Sequence, residues 1–119
     1  MVIERDRKSD NMELYESEII ELKEIYTTDL KKEIVPFANT NGGTIYIGVQ
    51  DNGTIVGVDH ADFVIQQIAN SIRDSIRPDI SMFTSIELLK DENKSYIKVT
   101  VDSGTKKPYY LSEKGLKPT

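Results

Sequence analysis

The sequence predicts a two-layer α+β domain, with two main helices over a mixed or antiparallel sheet of about five to six strands. Two observations lead to this fold class. Short segments with alternating apolar residues, typical of strands, flank two segments with helical periodicity. Along the chain the order is strand, helix, two strands, helix and two or three further strands. A length of 119 residues suits one domain with a single modest core.

The first predicted elements are a strand and a helix. Apolar and polar residues alternate over residues 20–26, as they do in a strand. Residues 27–29, Thr-Thr-Asp, provide N-cap and first-turn chemistry for the helix that follows. Pro36 removes a backbone donor within this helix, so we expect a kink or an early end there.

A hairpin is predicted next. Gly42-Gly43 marks the place where the helix stops and a strand starts, because glycine adopts positive φ at low cost. Strand alternation over residues 44–49 places its three aliphatic side chains, of which Val49 is the last, on one face. Asp51-Asn52-Gly53 predicts a tight turn, and residues 54–58 the return strand.

The second half is predicted to contain a helix, a hairpin and a last strand. Isoleucines recur at helical spacing over residues 65–76, and Pro78 is expected to end that helix. Residues 81–89 and 95–101 are expected to pair as a hairpin. Residues 107–111 are expected to form the last strand before a turn.

The charge balance and the residue types restrict the possible functions. With 20 acidic and 15 basic residues, the net charge is −5, which argues against a chain coated for nucleic acid. Residues 90–119 nevertheless hold seven bases and four acids, so they could supply a local basic patch or merely a soluble surface. The absence of cysteine and the single histidine disfavour disulfides, zinc sites and Ser-His-Asp catalysis. Without a membrane-length apolar run or a signal peptide, the chain is expected to be cytoplasmic.

Three acidic residues are candidates for a catalytic metal site. Glu16, Glu21 and Lys23 follow the pattern Glu-x-x-x-x-Glu-x-Lys, and Asp51 ends the central strand. In a regular strand Glu16 and Glu21 would face opposite sides, so the chain must bend between them if the carboxylates are to meet. Converging carboxylates would suit Mg²⁺ or Mn²⁺, which can orient water and clamp a phosphodiester. On spacing alone, exposed charges on a strand and an ordinary turn aspartate are the favoured interpretation.

Basic and aromatic residues are the candidates for contacts with nucleic acid. Arg73 and Arg77 lie four residues apart on a predicted helix and share a face. The segment Lys106-Lys107-Pro108-Tyr109-Tyr110 combines cations with aromatic rings, which suits single-stranded nucleic acid. Ordinary sheet packing of the two tyrosines is the alternative. The predicted nucleic-acid contacts are Lys23, Arg73, Arg77, Lys106, Lys107 and Tyr109.

Three blocks of the chain together resemble the Schlafen AlbA-type domain. The first is Glu16-Ser17 with Glu21 and Lys23, and the second is the Phe-Ala-Asn-Thr-x-Gly-Gly segment at residues 37–43 with its continuation to residue 57. The third is Lys107-Pro108-Tyr109-Tyr110. The resemblance runs from about residue 13 to residue 115. It implies a nucleic-acid-binding domain, described as DNA-binding in bacterial and archaeal transcriptional regulators.

The resemblance also implies a possible activity. Some animal members are metal-dependent endoribonucleases, and their acidic site resembles Glu16, Glu21 and Asp51 with Lys23 beside it. Bacterial regulators of this type continue with helix-turn-helix material. We therefore expect residues 1–119 to be a single N-terminal domain of a longer protein, with a flexible lead-in over residues 1–11.

Three functions remain open from the sequence. They are a nucleic-acid-binding module of a transcriptional regulator acting on DNA or RNA, a divalent-metal-dependent endoribonuclease, and a non-catalytic dimerisation module. Animal relatives hold two such lobes side by side, which implies a homodimer for a single lobe.

Overall fold

The computed structural model describes residues 19–112. Two short 3₁₀ helices, Thr28–Leu30 and Ser81–Phe83, accompany the main elements. The main elements in chain order are β1 (Ile20–Lys23), α1 (Lys31–Asn39), β2 (Gly43–Ile47), α2 (Ala61–Ser75), β3 (Ile76–Arg77), β4 (Thr84–Asp91), β5 (Lys94–Val101) and β6 (Tyr110–Leu111).

The strands form two separate sheets. The main sheet has the order β1-β2-β5-β4, in which β1 and β2 are parallel and the other two pairs are antiparallel. β3 and β6 pair antiparallel as a two-stranded sheet outside the main one. The predicted α+β class, with two helices, six strands and a mixed sheet, is therefore confirmed.

Both helices pack on one face of the main sheet and enclose the core. Alternate residues of β2 and β5 point toward the helices, as the two-residue period of a strand requires. Burying each of these aliphatic side chains contributes roughly 1.5–3 kcal/mol. The strand and helix residues at the centre of this core are Ile34, Ala38, Ile45, Ile47, Ile68, Ile72, Ile97, Val99 and Val101.

The alternation predicted for residues 44–49 breaks at Gly48. The two isoleucines of β2 face the helices, but Val49 packs with Leu22 and Tyr46 on the opposite face of the sheet. The prediction that all three aliphatic side chains share one face is therefore wrong. Gly48 has a φ of 97°, so the chain leaves the extended conformation there and the next side chain changes sides.

The predicted turn at residues 51–53 is present, but its return strand is not. Residues 54–58 contribute a single bridge, between Val49 and Ile55. The amide of Val58 donates instead to the carbonyl of Ser95 at 2.7 Å. This bond draws the segment toward β5, so the expected strand does not continue.

Pro36 does not end α1, which continues to Asn39. The prediction of an early end is therefore wrong. Pro36 is exposed, whereas Ile34 and Ala38 on either side of it are buried in the core, and their packing holds the helical path. The Thr40 hydroxyl donates to the carbonyl of Pro36 at 2.8 Å and satisfies one of the groups left open at the helix end.

α2 ends at Ser75, before the last isoleucine that was predicted to lie on it. Ile76 is fully buried, but it belongs to β3. Because a proline disfavours helical backbone in the residue before it, Pro78 keeps Arg77 extended. This extended dipeptide pairs with β6, which covers only the last two residues of the predicted 107–111 strand. The predicted β4–β5 hairpin is confirmed.

Candidate functional site

The first candidate site is the carboxylate corner, defined here as Glu21, Lys23, Glu33 and Asp51. β1 is an edge strand, and its register places Glu21 and Lys23 on the helix-covered face of the sheet, where α1 supplies Glu33. Lys23 Nζ lies 2.9 Å from Glu33 Oε2 and 3.5 Å from Glu21 Oε2. The hydrogen bond with Glu33 raises the pKa of Lys23, partial burial opposes the rise, and the charges of both glutamates add to it. The corner therefore holds a lysine in its charged form.

Asp51 is the exposed member of the corner and lies in the turn that follows β2. The amide of Gly48 donates to the carbonyl of Lys23 at 2.8 Å, which fixes the start of the turn against the end of β1. Gln50 Nε2 donates to Glu24 Oε2 at 3.5 Å and links the same two segments. The residues just before Asp51 are therefore tied to the end of β1, and the predicted meeting of its carboxylate with the other two stays a prediction.

The described carboxylates do not by themselves fit a divalent metal. Over residues 19–112, no three histidine, aspartate or glutamate side chains lie together as a metal-binding group. The ammonium of Lys23 already supplies the positive charge between Glu21 and Glu33. Glu16, the third predicted ligand, lies outside the described residues. The three-carboxylate site with Mg²⁺ or Mn²⁺ therefore remains a prediction.

The second candidate site is the basic ribbon, defined here as Arg73, Arg77, Lys106, Lys107 and Tyr110. Pairing of β3 with β6 sets Arg77 directly opposite Tyr110. Residues opposite one another on antiparallel strands have Cβ atoms about 4.5–5.5 Å apart, so the two side chains are neighbours. Lys107 lies three residues before Tyr110, at most about 10 Å along the chain. The ribbon thus includes cations from α2, from β3 and from the loop before β6.

Hydrogen bonds hold the two arginines in place. Arg77 Nη1 donates to the carbonyls of Arg73 and Ile76, both at 2.9 Å. Arg73 Nη2 donates to Asn70 Oδ1 at 2.8 Å, and its Nε lies 3.4 Å from Asp74 Oδ1. Within residues 19–112, these contacts use only part of the five N–H donors of each guanidinium. Both side chains can therefore contact a phosphate without leaving their positions.

An acidic residue, Asp79, lies near the two arginines of the ribbon. Its Oδ1 accepts hydrogen bonds from the hydroxyl of Ser81 at 2.7 Å and from the amide of Ser81 at 3.0 Å. These bonds are the main reason that the pKa of Asp79 is lowered, and the charges of Arg77 and Arg73 lower it further. Asp79 therefore stays ionised and offsets part of the positive charge of the arginines.

Asn39 anchors the loop of the ribbon to the end of α1. Its Oδ1 accepts from the amide of Tyr109 at 2.6 Å, and its Nδ2 donates to the carbonyl of Tyr109 at 3.0 Å. The side-chain amide thus replaces the neighbouring strand that Tyr109 lacks. The amide of Gly104 also donates to the carbonyl of Ala38, at 3.0 Å.

Sequence reasoning missed this positioning role. Asn39 and Tyr109 lie 70 residues apart, although both belong to the blocks on which the family resemblance rested. The signal that pointed to them was the joint occurrence of Phe-Ala-Asn-Thr-x-Gly-Gly and Lys-Pro-Tyr-Tyr. The two blocks are in contact in the structure.

The two tyrosines of the ribbon segment occupy different environments. Tyr109 is 3% exposed and packs in the core, and its hydroxyl accepts from the amide of Lys106 at 3.0 Å. The predicted stacking of a base on Tyr109 is therefore not available in this structure. Tyr110, the next residue, is 56% exposed, because successive side chains of a strand point to opposite sides.

The other predicted contacts are divided between the two sites. Lys23 lies in the carboxylate corner, ion-paired to Glu33. Lys106 and Lys107 are both exposed, as a contact with phosphate requires. A role in binding nucleic acid stays a prediction for the four cations of the ribbon.

The fold and these two sites define a small α+β domain with a charged, largely open surface. Its sequence matches the model of the Schlafen AlbA_2 family over residues 16–117. Because the match covers most of the chain, the protein belongs to the Schlafen AlbA_2 family. No curated protein matches it. Over residues 19–112, no helix is long and apolar enough to cross a membrane.

Proposed function

We propose that this domain binds nucleic acid through the basic ribbon, as the DNA-binding or RNA-binding part of a transcriptional regulator. The observation that carries the proposal is the pairing of β3 with β6, which sets Arg77 opposite the exposed Tyr110. Arg73 is hydrogen-bonded to Arg77 through its backbone carbonyl. The exposed Lys106 and Lys107 lie on the loop that leads into β6. Family membership supports it, because the Schlafen AlbA-type domain is described as nucleic-acid-binding in its bacterial members.

The charge pattern also supports a localised interface. The whole chain carries a net charge of −5, so phosphate is repelled by most of the surface. A cluster of four cations on such a background marks the place where a phosphate backbone can approach. Since phosphate contacts carry no sequence information, the ribbon provides affinity and orientation rather than readout of bases.

Fluorescence anisotropy of labelled DNA and RNA, at about 50 and 200 mM salt, tests the proposal. If the four cations each neutralise one phosphate of a single strand, affinity falls roughly fifty-fold between these salt concentrations. An absence of binding to any DNA or RNA at the lower concentration would overturn the proposal.

A pair of double variants locates the contact. Lys106→Ala with Lys107→Ala should weaken binding roughly tenfold and flatten the salt dependence. Lys31→Ala with Lys32→Ala is the matched control, because it removes the same charge from the start of α1, where Lys32 pairs with Asp29 at 3.4 Å. Equal loss in both double variants would mean that only net charge matters and that the ribbon is not the interface.

The endoribonuclease alternative depends on the carboxylate corner and on Glu16. In the described part of the chain, no observation favours it over nucleic-acid binding, since the lysine of the corner is engaged by two glutamates. The two functions share a substrate class and differ in metal dependence, so the response to Mn²⁺ separates them.

A further inference from the structure

We propose that Tyr110 is a stacking platform for an unpaired base, so that the basic ribbon takes single-stranded nucleic acid in preference to duplex. This inference rests on the proposed function and makes its substrate class specific. Among the described residues, Tyr110 is the exposed aromatic side chain of the ribbon, and its register partner is Arg77.

The geometry of the ribbon gives Tyr110 its position. The pair behind it, Ile76 and Leu111, packs against the core, so the opposite side of the strands must carry Arg77 and Tyr110 outward. Tyr109 is fixed by the Asn39 amide and by its own burial, which fixes the backbone of the next residue as well. An exposed ring is therefore presented on an anchored backbone.

The chemistry of the surface favours a single strand. A base has a flat face that can stack on a phenol ring, and the phosphates beside it can reach Arg77 and the two lysines. In a duplex the bases stack on one another, so Tyr110 gains nothing and only the cations contribute. Any stacked base adds to the affinity, whatever its identity. We therefore expect the domain to prefer single strands over duplexes without preferring a particular sequence.

Binding to a single strand of about 12 nucleotides and to a duplex of the same sequence tests this inference directly. Tyr110→Ala should lower single-strand affinity roughly five-fold to a hundred-fold and leave duplex affinity within about two-fold. Tyr110→Phe keeps the ring and should retain single-strand affinity, whereas Tyr110→Leu keeps apolar bulk without the ring and should lose most of it. DNA and RNA versions of the strand identify which nucleic acid the platform takes.

A fluorescent base provides a readout that a purely structural role would not change. The chain contains no tryptophan, so 2-aminopurine in the strand can be excited without interference from the protein. Stacking on Tyr110 should quench it on binding, and Tyr110→Ala should abolish the quenching even at saturation.

The outcomes separate this inference from the function on which it rests. If the unaltered protein binds no nucleic acid, the proposed function fails. If it binds duplex as tightly as single strand, or if Tyr110→Ala changes neither affinity nor quenching, the stacking platform fails while nucleic-acid binding stands. If Tyr110→Phe is as weak as Tyr110→Ala, the hydroxyl and not the ring makes the contact, and the inference is overturned.

Discussion

The basic ribbon and the carboxylate corner both place cations beside acidic residues, but they balance charge differently. In the corner, one lysine lies between two glutamates at 2.9 and 3.5 Å, and all three side chains are about one-third exposed. In the ribbon, Asp74 and Asp79 interact with the two arginines, and both lysines are exposed. The corner therefore keeps an excess of negative charge and the ribbon an excess of positive charge, so the sign of the remaining charge, and not the presence of a cation, indicates where a phosphate can approach.

The largest expected effect comes from removing the anchor of the ribbon. Asn39→Ala leaves the amide and carbonyl of Tyr109 without their partner, which should lower the free energy of unfolding by about 2–4 kcal/mol. Nucleic-acid binding should fall with it, because Tyr110 and the lysine loop lose their fixed position. Urea unfolding measures the first effect and anisotropy the second.

Asn41→Ala is the control for this prediction, since Asn41 is an exposed asparagine two residues further along. It should change stability by less than about 0.5 kcal/mol. Similar losses in the two variants would contradict the anchoring role of Asn39.

A smaller effect should follow from making the ribbon more positive. Asp79→Asn removes a negative charge near Arg73 and Arg77 while keeping an oxygen that can accept from Ser81. Affinity for a single strand should rise roughly two-fold to five-fold at low salt. Asp62→Asn removes the same charge from the first turn of α2, at the other end of the helix, and should have less effect. If the two variants gain the same affinity for the single strand, the arginines are not at the interface.

The corner is expected to contribute modestly to stability, in a defined pH range. The pKa of Lys23 is raised above its ordinary value of 10.5, so its contribution is complete below that pH and is lost as the pH rises through the raised value. Lys23→Met should therefore lower the free energy of unfolding by less than about 1 kcal/mol at pH 8. The difference from the unaltered protein should vanish in alkali.

Tyr46 also affects stability in the alkaline range, so its effect must be distinguished from that of Lys23 in the same measurement. Burial raises the pKa of Tyr46, aided by the charge of Glu87, so this tyrosine also stabilises less as the pH rises above 10. The Lys23→Met variant should still lose some free energy of unfolding as the pH rises above 10. Adding Tyr46→Phe to that variant should make this remaining loss smaller. A Lys23→Met variant that loses stability equally at all pH values would contradict the ion-pair account.

The smallest expected effect is the response of the corner to metal. Because the Lys23 ammonium already lies between the carboxylates of Glu21 and Glu33 and competes with a cation for their oxygens, Mn²⁺ should not raise the melting temperature and should not promote cleavage of bound RNA. Glu21→Gln serves as the comparison. A rise in melting temperature that Glu21→Gln abolishes would instead restore the three-carboxylate site and the nuclease hypothesis.

Local patterns predicted most of the fold. The helical spacing of the isoleucines in α2 and the alternation of apolar residues in β4 and β5 are visible within a few residues of sequence. These local patterns are therefore sufficient to predict the three elements. The β3–β6 pair was not predictable in this way. It has two residues in each strand, and Ile76 continues the helical spacing of α2 although it lies in β3.

The candidate sites were only partly predictable, for a similar reason. Residue types suggested the arginines and lysines of the ribbon, but Asn39 meets Tyr109 across 70 residues, and no local pattern records that contact. The choice between Tyr109 and Tyr110 depended on which of the two faces the core.

Glu16 lies outside the described residues, so the predicted meeting of three carboxylates stays a prediction. The predicted homodimer also stays one, and light scattering at tens of micromolar tests it.

Mapping of amide chemical shifts during titration with a short single strand shows which of the two regions binds it, since both are observed at once. We expect perturbations over Arg73–Arg77 and residues 106–111, with none at Glu21, Lys23 or Asp51. Perturbations confined to the corner, with the ribbon unchanged, would contradict the proposed binding by the ribbon.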